Sequence, residues 1–255
     1  MSACRERRRF VACLVLSAWS ALAPGSPNPL KASPMSTLRF GAGSEALEAA
    51  VLADNGPAVA RAIEAGANAN ARDAQRITPL MLAVDMLKRS AVKSLLDHGA
   101  DPNLMAIDGA SAVSLAIGSY RQAPDLISTV IRGGGDPNIR TTGNEPVVMR
   151  FINDRNCDFL RQMKLLGANL DARTRSNRPL VLSAALRSDW DVVWCLIELG
   201  VQYDYPQGPP EHNLSQQLAR PFPAPDSPIY PFKLKVRDFL RVKGLPAPDL
   251  AGDRN

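Results

Sequence analysis

The stretch that decides the fold runs from Thr78 to Asn103 and reads TPLMLAVDMLKRSAVKSLLDHGADPN. The segment AVKSLL within it carries apolar residues at the three- and four-residue spacing of an amphipathic helix. Gly99 follows that segment, and glycine readily ends a helix because it enters the left-handed region without steric cost. The stretch therefore predicts a short helix, a tight loop, a longer helix and a glycine stop.

The closing motif, a glycine followed four residues later by Asn or Asp, recurs along the chain. The successive glycines are 33, 35, 33 and 33 residues apart. A constant period of this size indicates stacked structural repeats. The five copies begin at Gly66, Gly99, Gly134, Gly167 and Gly200.

The opening motif TPLMLA also has later counterparts. We align Ser111, Glu145 and Arg178 with Thr78, and the residue that follows each of them is Ala or Pro. Proline suits the first turn of a helix, where its missing N–H has no partner to lose. Thr or Ser in front of it can cap the helix.

Together the two motifs resemble the ankyrin repeat, whose signature is a 33-residue period with Thr-Pro-Leu-His and a closing Gly-Ala-Asp-x-Asn. The resemblance covers about residues 43–205 and implies an all-α ankyrin-repeat solenoid of about five helix-turn-helix units. The position of the signature histidine is occupied here by Met81, Ser114, Val148 and Val181. In the family that histidine helps to lock neighbouring loops, so the resemblance alone leaves the rigidity of the loops open.

These boundaries predict a domain organisation. Residues 1–23 form a signal peptide, 24–42 a linker, and 206–255 a degenerate sixth unit with a proline-rich loop. Terminal repeats must cap the stack, and an apolar helical face made by Phe232, Val236, Phe239 and Leu240 favours a cap over a disordered tail. The five complete units are 43–75, 76–108, 109–143, 144–176 and 177–205.

The N-terminus predicts export to the periplasm or the exterior. Residues 1–9 are basic, residues 10–23 are apolar, and Ala21-Leu22-Ala23 has the form of a cleavage site. Fourteen apolar residues are too few for a stable membrane span. Pro24 argues against cleavage directly after Ala23, and the arginines at 7–9 also resemble a twin-arginine signal. The alternative is a cytoplasmic protein whose true start is Met35.

Two of the four cysteines lie beyond the leader, at Cys157 and Cys195. In the repeat register Cys157 corresponds to Trp190, five residues before Cys195. With helices about 10 Å apart and a rise of about 1.5 Å per residue, the two Cα atoms are expected roughly 12 Å apart. That distance exceeds the ~7 Å limit for a disulfide, so we expect the two cysteines not to pair.

The composition argues against several classes of function. Beyond residue 23 the chain has 26 basic and 24 acidic residues, which is no basis for binding nucleic acid. Its two histidines, His98 and His212, share no helix face, so a histidine-based metal site is not expected. We find no catalytic constellation, and no cofactor or metal ligand set is predicted. An enzymatic site in the tail, 206–255, is the least favoured interpretation.

The resemblance implies a concave face built from turn tips and first helices, where a protein partner binds. Tip residues include Met105 and Ile107, and arginines and aromatics dominate the candidates, as they do among interface hot spots. We therefore predict that this face binds an acidic protein surface and that the protein is a monomer. The alternative is that the charged residues of this face form only a solvated rim. The predicted contact residues are Arg72, Arg76, Tyr120, Arg121, Arg140, Asn153, Arg155, Arg173, Arg175, Arg187 and Trp190.

The function predicted from the sequence is a non-enzymatic scaffold for protein–protein interaction. The chain resembles the exported bacterial ankyrin proteins, some of which support defence against oxidative stress. Others resemble immunity proteins that neutralise secreted toxins. A host-directed or cytosolic ankyrin effector is the alternative if residues 1–34 do not act as a signal.

Overall fold

The helices follow one another in pairs along the chain. The computed structural model describes residues 40–41, 43–205 and 213–250, and twelve helices lie within these ranges. The predicted signal peptide and His212 lie outside them. In chain order the helices are α1 (Glu45–Leu52), α2 (Gly56–Glu64), α3 (Pro79–Asp85), α4 (Arg89–Asp97), α5 (Ala112–Gly118), α6 (Pro124–Arg132), α7 (Met149–Asn153), α8 (Cys157–Leu165), α9 (Leu180–Leu186), α10 (Trp190–Glu198), α11 (Leu214–Leu218) and α12 (Tyr230–Val242).

Successive pairs stack side by side. First helices pack on first helices, as α1 does on α3 and α3 on α5, and second helices pack on second helices, as α2 does on α4 and α10 on α12. One continuous core of buried aliphatic side chains runs through the stack. The predicted all-α solenoid is confirmed, with α11 and α12 as the capping unit.

The starts of the first helices differ between units. Thr78 caps α3, its Oγ1 accepting the N–H of Met81 at 3.2 Å. In the fifth unit, however, the residue before the helix is Pro179, which is extended (φ −57°, ψ 144°). Our alignment of Arg178 with Thr78, and likewise of Glu145, is therefore wrong by one residue. Pro179 takes the place of Thr78, and Arg178 takes the place of the apolar Ile77.

Asparagine side chains join each closing loop to the next. Asn70 donates its amide to the carbonyl of Gly99 at 3.0 Å and accepts the N–H of Asp101 at 2.7 Å. Asn103 and Asn138 make the same two bonds to the loops that follow them. These paired bonds link neighbouring loops where the signature histidine is missing. The asparagine bonds therefore hold neighbouring loops together, a point that the sequence left open.

The prediction that Cys157 and Cys195 do not pair is wrong. The two are joined by a disulfide, with their Cα atoms 6.1 Å apart. Stacked second helices are offset along their axes, so a residue faces one that lies 36 to 38 positions later. The hydroxyl of Ser94 bonding to the carbonyl of Gly56, 38 residues earlier, shows the same offset. Cys157 therefore faces Cys195 and not Trp190, its counterpart in the register.

The capping unit is held to the fifth repeat by apolar and cationic contacts. Phe239 of α12 lies edge-on to the rings of Trp194 and Tyr203, at 6.1 and 5.1 Å between centroids. Lys233 is buried, and its ammonium donates to the carbonyls of Arg220 at 2.5 Å and of Phe222 at 3.2 Å. The apolar helical face predicted for the tail thus covers the end of the stack.

Candidate protein-binding surface

Four hairpin turns, one between each pair of consecutive complete repeats, share one backbone geometry. They comprise residues 72–76, 105–109, 140–144 and 173–177, and we refer to them as the tip row. In the first, the N–H of Asp73 bonds to the carbonyl of Ile77 and that of Arg76 bonds to the carbonyl of Asp73. Equivalent pairs of bonds close the other three turns. The repeat thus projects four similar turns that differ in their side chains.

The tenth residue after each closing glycine has a positive φ in every one of these turns. It is Gly109 in the second turn, Asn144 in the third and Asn177 in the fourth. The first turn has Arg76 there, at a φ of 61°. Glycine and asparagine tolerate this conformation, whereas a long side chain adopts it at an energetic cost. A Cβ at position 109 would also lie 2.2 Å from the Cγ2 of Thr142, so that side chain would have to move.

Two of the predicted contact arginines brace their own turns. Arg140 donates to the carbonyl and the side chain of Asn144, and it also donates to the carbonyl of Arg173 at 2.8 Å. Arg173 donates to the carbonyl of Asn177 at 3.0 Å, and its guanidinium lies 5.4 Å from the ring centroid of Tyr205. These two guanidinium groups are therefore already engaged inside the protein.

The other arginines of the tip row are free. Arg72, Arg76 and Arg175 are exposed and make no hydrogen bond or ion pair with the part of the chain that the structure describes. Two exposed apolar side chains occupy the turn after Arg76: Met105 is 47% exposed and Ile107 is 65% exposed. The N–H of Ile107 donates to the carbonyl of Gln75 at 3.0 Å, so these two turns lie against each other.

The remaining predicted residues lie at the opposite ends of the first helices, in the loops that lead to the second helices. There Asp154 accepts hydrogen bonds from the hydroxyl of Tyr120 at 2.8 Å and from Nε of Arg150 at 2.9 Å. Arg121 lies 3.3 Å from the same carboxylate and donates to the Tyr120 hydroxyl. Tyr120 is buried, so it shapes this edge and offers little free surface.

Arginine–aspartate pairs continue along the same edge. Arg155 pairs with Asp191 at 2.7 Å, and Arg187 pairs with Asp189 at 2.8 Å. Arg187 also donates to the side chain of Asn153 at 2.8 Å. The bonds from Arg155 to Asp191 and from Arg187 to Asn153 join the fourth repeat to the fifth. Arg121, Arg155 and Arg187 are therefore paired, unlike the free arginines of the tip row.

Trp190 is wrongly included among the contact residues. It is the first residue of α10 and is 0% exposed. Its ring lies 5.8 Å from the ammonium of Lys233, between the fifth repeat and the capping unit. Its position in the sequence after Arg187 and Ser188 resembles that of an exposed loop residue. Trp190 instead opens α10, and its side chain points into the core.

The second helical pair and its turn correspond to a known family. Residues 75–106 match the family model for the ankyrin repeat. The fold is an ankyrin-repeat solenoid. Ankyrin repeats generally mediate protein–protein interaction and are typically non-enzymatic. A comparison with curated proteins found no match to this chain.

The ankyrin solenoid has a looser junction between its third and fourth repeats. The helix pairs on either side approach each other less closely there than at the other junctions. The rings of Tyr120, Phe151 and Phe159 fill the space, with centroids 4.7 to 5.3 Å apart. An open cleft of about 630 Å³ lies beside them, lined also by Arg121 and Asp158. The two extra residues of the third repeat lengthen the loop at this cleft.

Tyr205 and Lys233 are among the titratable groups of the solenoid whose pKa values are perturbed. Burial, followed by the negative charge of Asp171, raises the pKa of Tyr205 to about 12. Burial lowers the pKa of Lys233, because the charged ammonium is less well solvated inside the protein than in water. Both residues lie toward the C-terminal end of the solenoid.

The described ranges contain neither a cluster of His, Cys, Asp and Glu that could hold a metal ion nor a helix with the length and apolar character needed to cross a membrane.

Proposed function

We propose that this protein is an exported ankyrin scaffold that acts as a monomer and binds an acidic surface of a protein partner through its tip row. The observation that carries the proposal is the set of free arginines, Arg72, Arg76 and Arg175, on the first and fourth turns of the row. Opposite charges across an interface accelerate encounter and favour the correct partner. Arg140 and Arg173 hold the third and fourth turns in place.

The disulfide supports export. Structural disulfides persist in oxidising compartments and are rare in the cytosol. Cys157 and Cys195 are paired, and the basic and apolar N-terminal sequence is typical of a signal peptide. These two independent features favour the periplasm or the exterior over the cytoplasm.

The partner is tested by capture and then by charge reversal. The protein captures its partner from the periplasmic or secreted fraction, and mass spectrometry identifies it. Binding is measured for the Arg72→Glu/Arg175→Glu variant and for the matched Arg61→Glu/Arg132→Glu variant, which reverses exposed arginines on second helices. We expect the first variant to lose binding and the second to retain it. Equal binding by both variants contradicts the proposal.

Export is tested separately, with a reporter fused after residue 40. We expect activity from a reporter that works only outside the cytoplasm. The oxidation state of Cys157 and Cys195 in protein trapped directly from cells gives a second measurement. Two free thiols in freshly trapped protein contradict export to an oxidising compartment.

A further inference from the structure

We infer that the first two turns of the tip row form a docking surface for an extended acidic protein segment that carries one apolar side chain about three residues from its acidic residues. The inference rests on the proposed function and specifies the chemistry of the partner. Four residues define the surface: Arg72 and Arg76 in the first turn, and Met105 and Ile107 in the second.

The two turns combine charge and apolar surface in a way that the others do not. Met105 stands where the first, third and fourth turns have an arginine, and both it and Ile107 are exposed. A solvent-exposed isoleucine beside a methionine contributes nothing to the core, and burying it against a partner is favourable. The hydrogen bond from Ile107 to Gln75 places this apolar pair directly beside the free arginines of the first turn.

Arg76 supplies an independent argument. It has a φ of 61° where the other turns have glycine or asparagine. An arginine in this conformation costs stability, and such strain is retained where the side chain serves another purpose. Its guanidinium has no partner among the described residues. The guanidinium of Arg76 is therefore available to bind a ligand, although the backbone conformation of the residue is unfavourable for the turn.

The occupant follows from these features. Two guanidinium groups recognise carboxylates, and the exposed Met and Ile recognise an aliphatic or aromatic side chain. Neighbouring repeats are about 10 Å apart, a distance that three residues of an extended chain span. The segment that fits has a carboxylate about three residues from its apolar anchor.

The test uses the full chain and a displayed library of random twelve-residue peptides. The peptides enriched are expected to be acidic with an apolar residue, and one of them is then used to measure affinity. We compare Met105→Ser/Ile107→Ser and Arg76→Asn with a control, Leu165→Ser/Val242→Ser, which changes two exposed apolar side chains outside the tip row. We expect each tip variant to bind roughly tenfold more weakly, as loss of a hot-spot contact does.

Arg76→Asn distinguishes binding from folding. Asparagine occupies the same position in the third and fourth turns, so the variant is expected to unfold at the same temperature as the wild type or higher while losing affinity.

The inference is overturned if no peptide is enriched, if the enriched peptides are basic or lack an apolar residue, or if either tip variant binds as the wild type does. It is also overturned if the tips instead pair two copies of this chain, detected by sedimentation as a dimer that Met105→Ser/Ile107→Ser dissociates. A further outcome separates this inference from the proposed function. If the enriched peptides are acidic but lack an apolar residue, and Arg72→Glu/Arg175→Glu abolishes their binding, only this inference is overturned. The proposed function then stands.

Discussion

The side-chain amide of Asn103 donates to the carbonyl of Gly134 at 2.8 Å and thereby ties one closing loop to the next. The same side chain accepts the N–H of Asp136 at 2.7 Å. Asn138 repeats the pair of bonds one repeat later, at 3.3 and 2.7 Å. At the end of the series Asp171 accepts the N–H of Gln202 but has no amide hydrogen to donate.

We expect Asn103→Ala to lower the free energy of unfolding by about 1–3 kcal/mol, since two hydrogen bonds contribute about 0.5–1.5 kcal/mol each. Asn103→Asp keeps the acceptor and loses the donor, as at Asp171, so its loss should be about half as large. Urea unfolding measures both. Equal midpoints for the wild type and Asn103→Ala would show that the loops are held by packing alone.

Reduction of the disulfide between Cys157 and Cys195 should destabilise the fourth and fifth repeats. The bond joins residues 38 positions apart, and a loop of this size typically contributes about 2–4 kcal/mol. Thermal unfolding of Cys4→Ser/Cys13→Ser, with and without reductant, measures the effect. Adding Cys195→Ala to this background should remove the dependence on reductant, and thiol titration of the background should find no free thiol before reduction.

Tyr205 should ionise later than an ordinary tyrosine. Its pKa is raised from 10.0 to about 12 in the folded protein, so its neutral form stabilises the fold below pH 10, and this stability is lost between pH 10 and about 12. The difference in phenolate absorbance between the wild type and Tyr205→Phe isolates its titration. A difference curve centred near pH 10 contradicts the burial of this side chain.

Lys233 should give the opposite dependence of stability on pH. Burial lowers its pKa below 10.5, so the unfolded chain binds the proton more tightly than the folded one. The contribution of Lys233 to the free energy of unfolding therefore rises as the pH increases from the pKa of the folded state towards 10.5. Denaturant midpoints at several pH values test this, and Lys233→Met should flatten the rise. An unchanged profile in Lys233→Met would show that another group is responsible.

Glu145 should destabilise the turn it belongs to. Its Oε2 is buried without a hydrogen-bond partner among the described residues, at a position where the second repeat has Ile77. A buried polar atom without a partner costs about 1–3 kcal/mol, so Glu145→Val should raise the free energy of unfolding. Glu64→Val, at an exposed site, is the control and should change stability by less than about 0.5 kcal/mol. A loss of stability in Glu145→Val would mean that the carboxylate is satisfied by water.

The helical pairs could be predicted from the sequence because their signals are local. Gly99 and Gly134 end helices in the left-handed conformation, with φ of 83° and 100°, and a residue needs no distant partner to do so. The cap of α3 at Thr78 is likewise a contact across three residues. The start of α9 was misplaced by one residue and that of α7 by three, because proline fits either before a helix or in its first turn.

Only part of the candidate surface could be predicted from the sequence. Arg140 and Arg175 look alike in the sequence, yet the first is bonded to Asn144 and Arg173 while the second is free. Trp190 lies between two aspartates in the sequence, Asp189 and Asp191, and is nevertheless buried. Whether a side chain is available depends on groups a repeat away, and a linear pattern does not contain those distances.

The sequence by itself determined the repeat, its period and the alternation of short and longer helices, since glycine stops and apolar spacing act within one unit. The tertiary structure decided how far each helix slides along its neighbour. That offset brings Cys157 to Cys195 and pairs Arg155 with Asp191. The reason is physical: the offset results from side chains packing between units, and it shifts these contacts between second helices by about one helical turn.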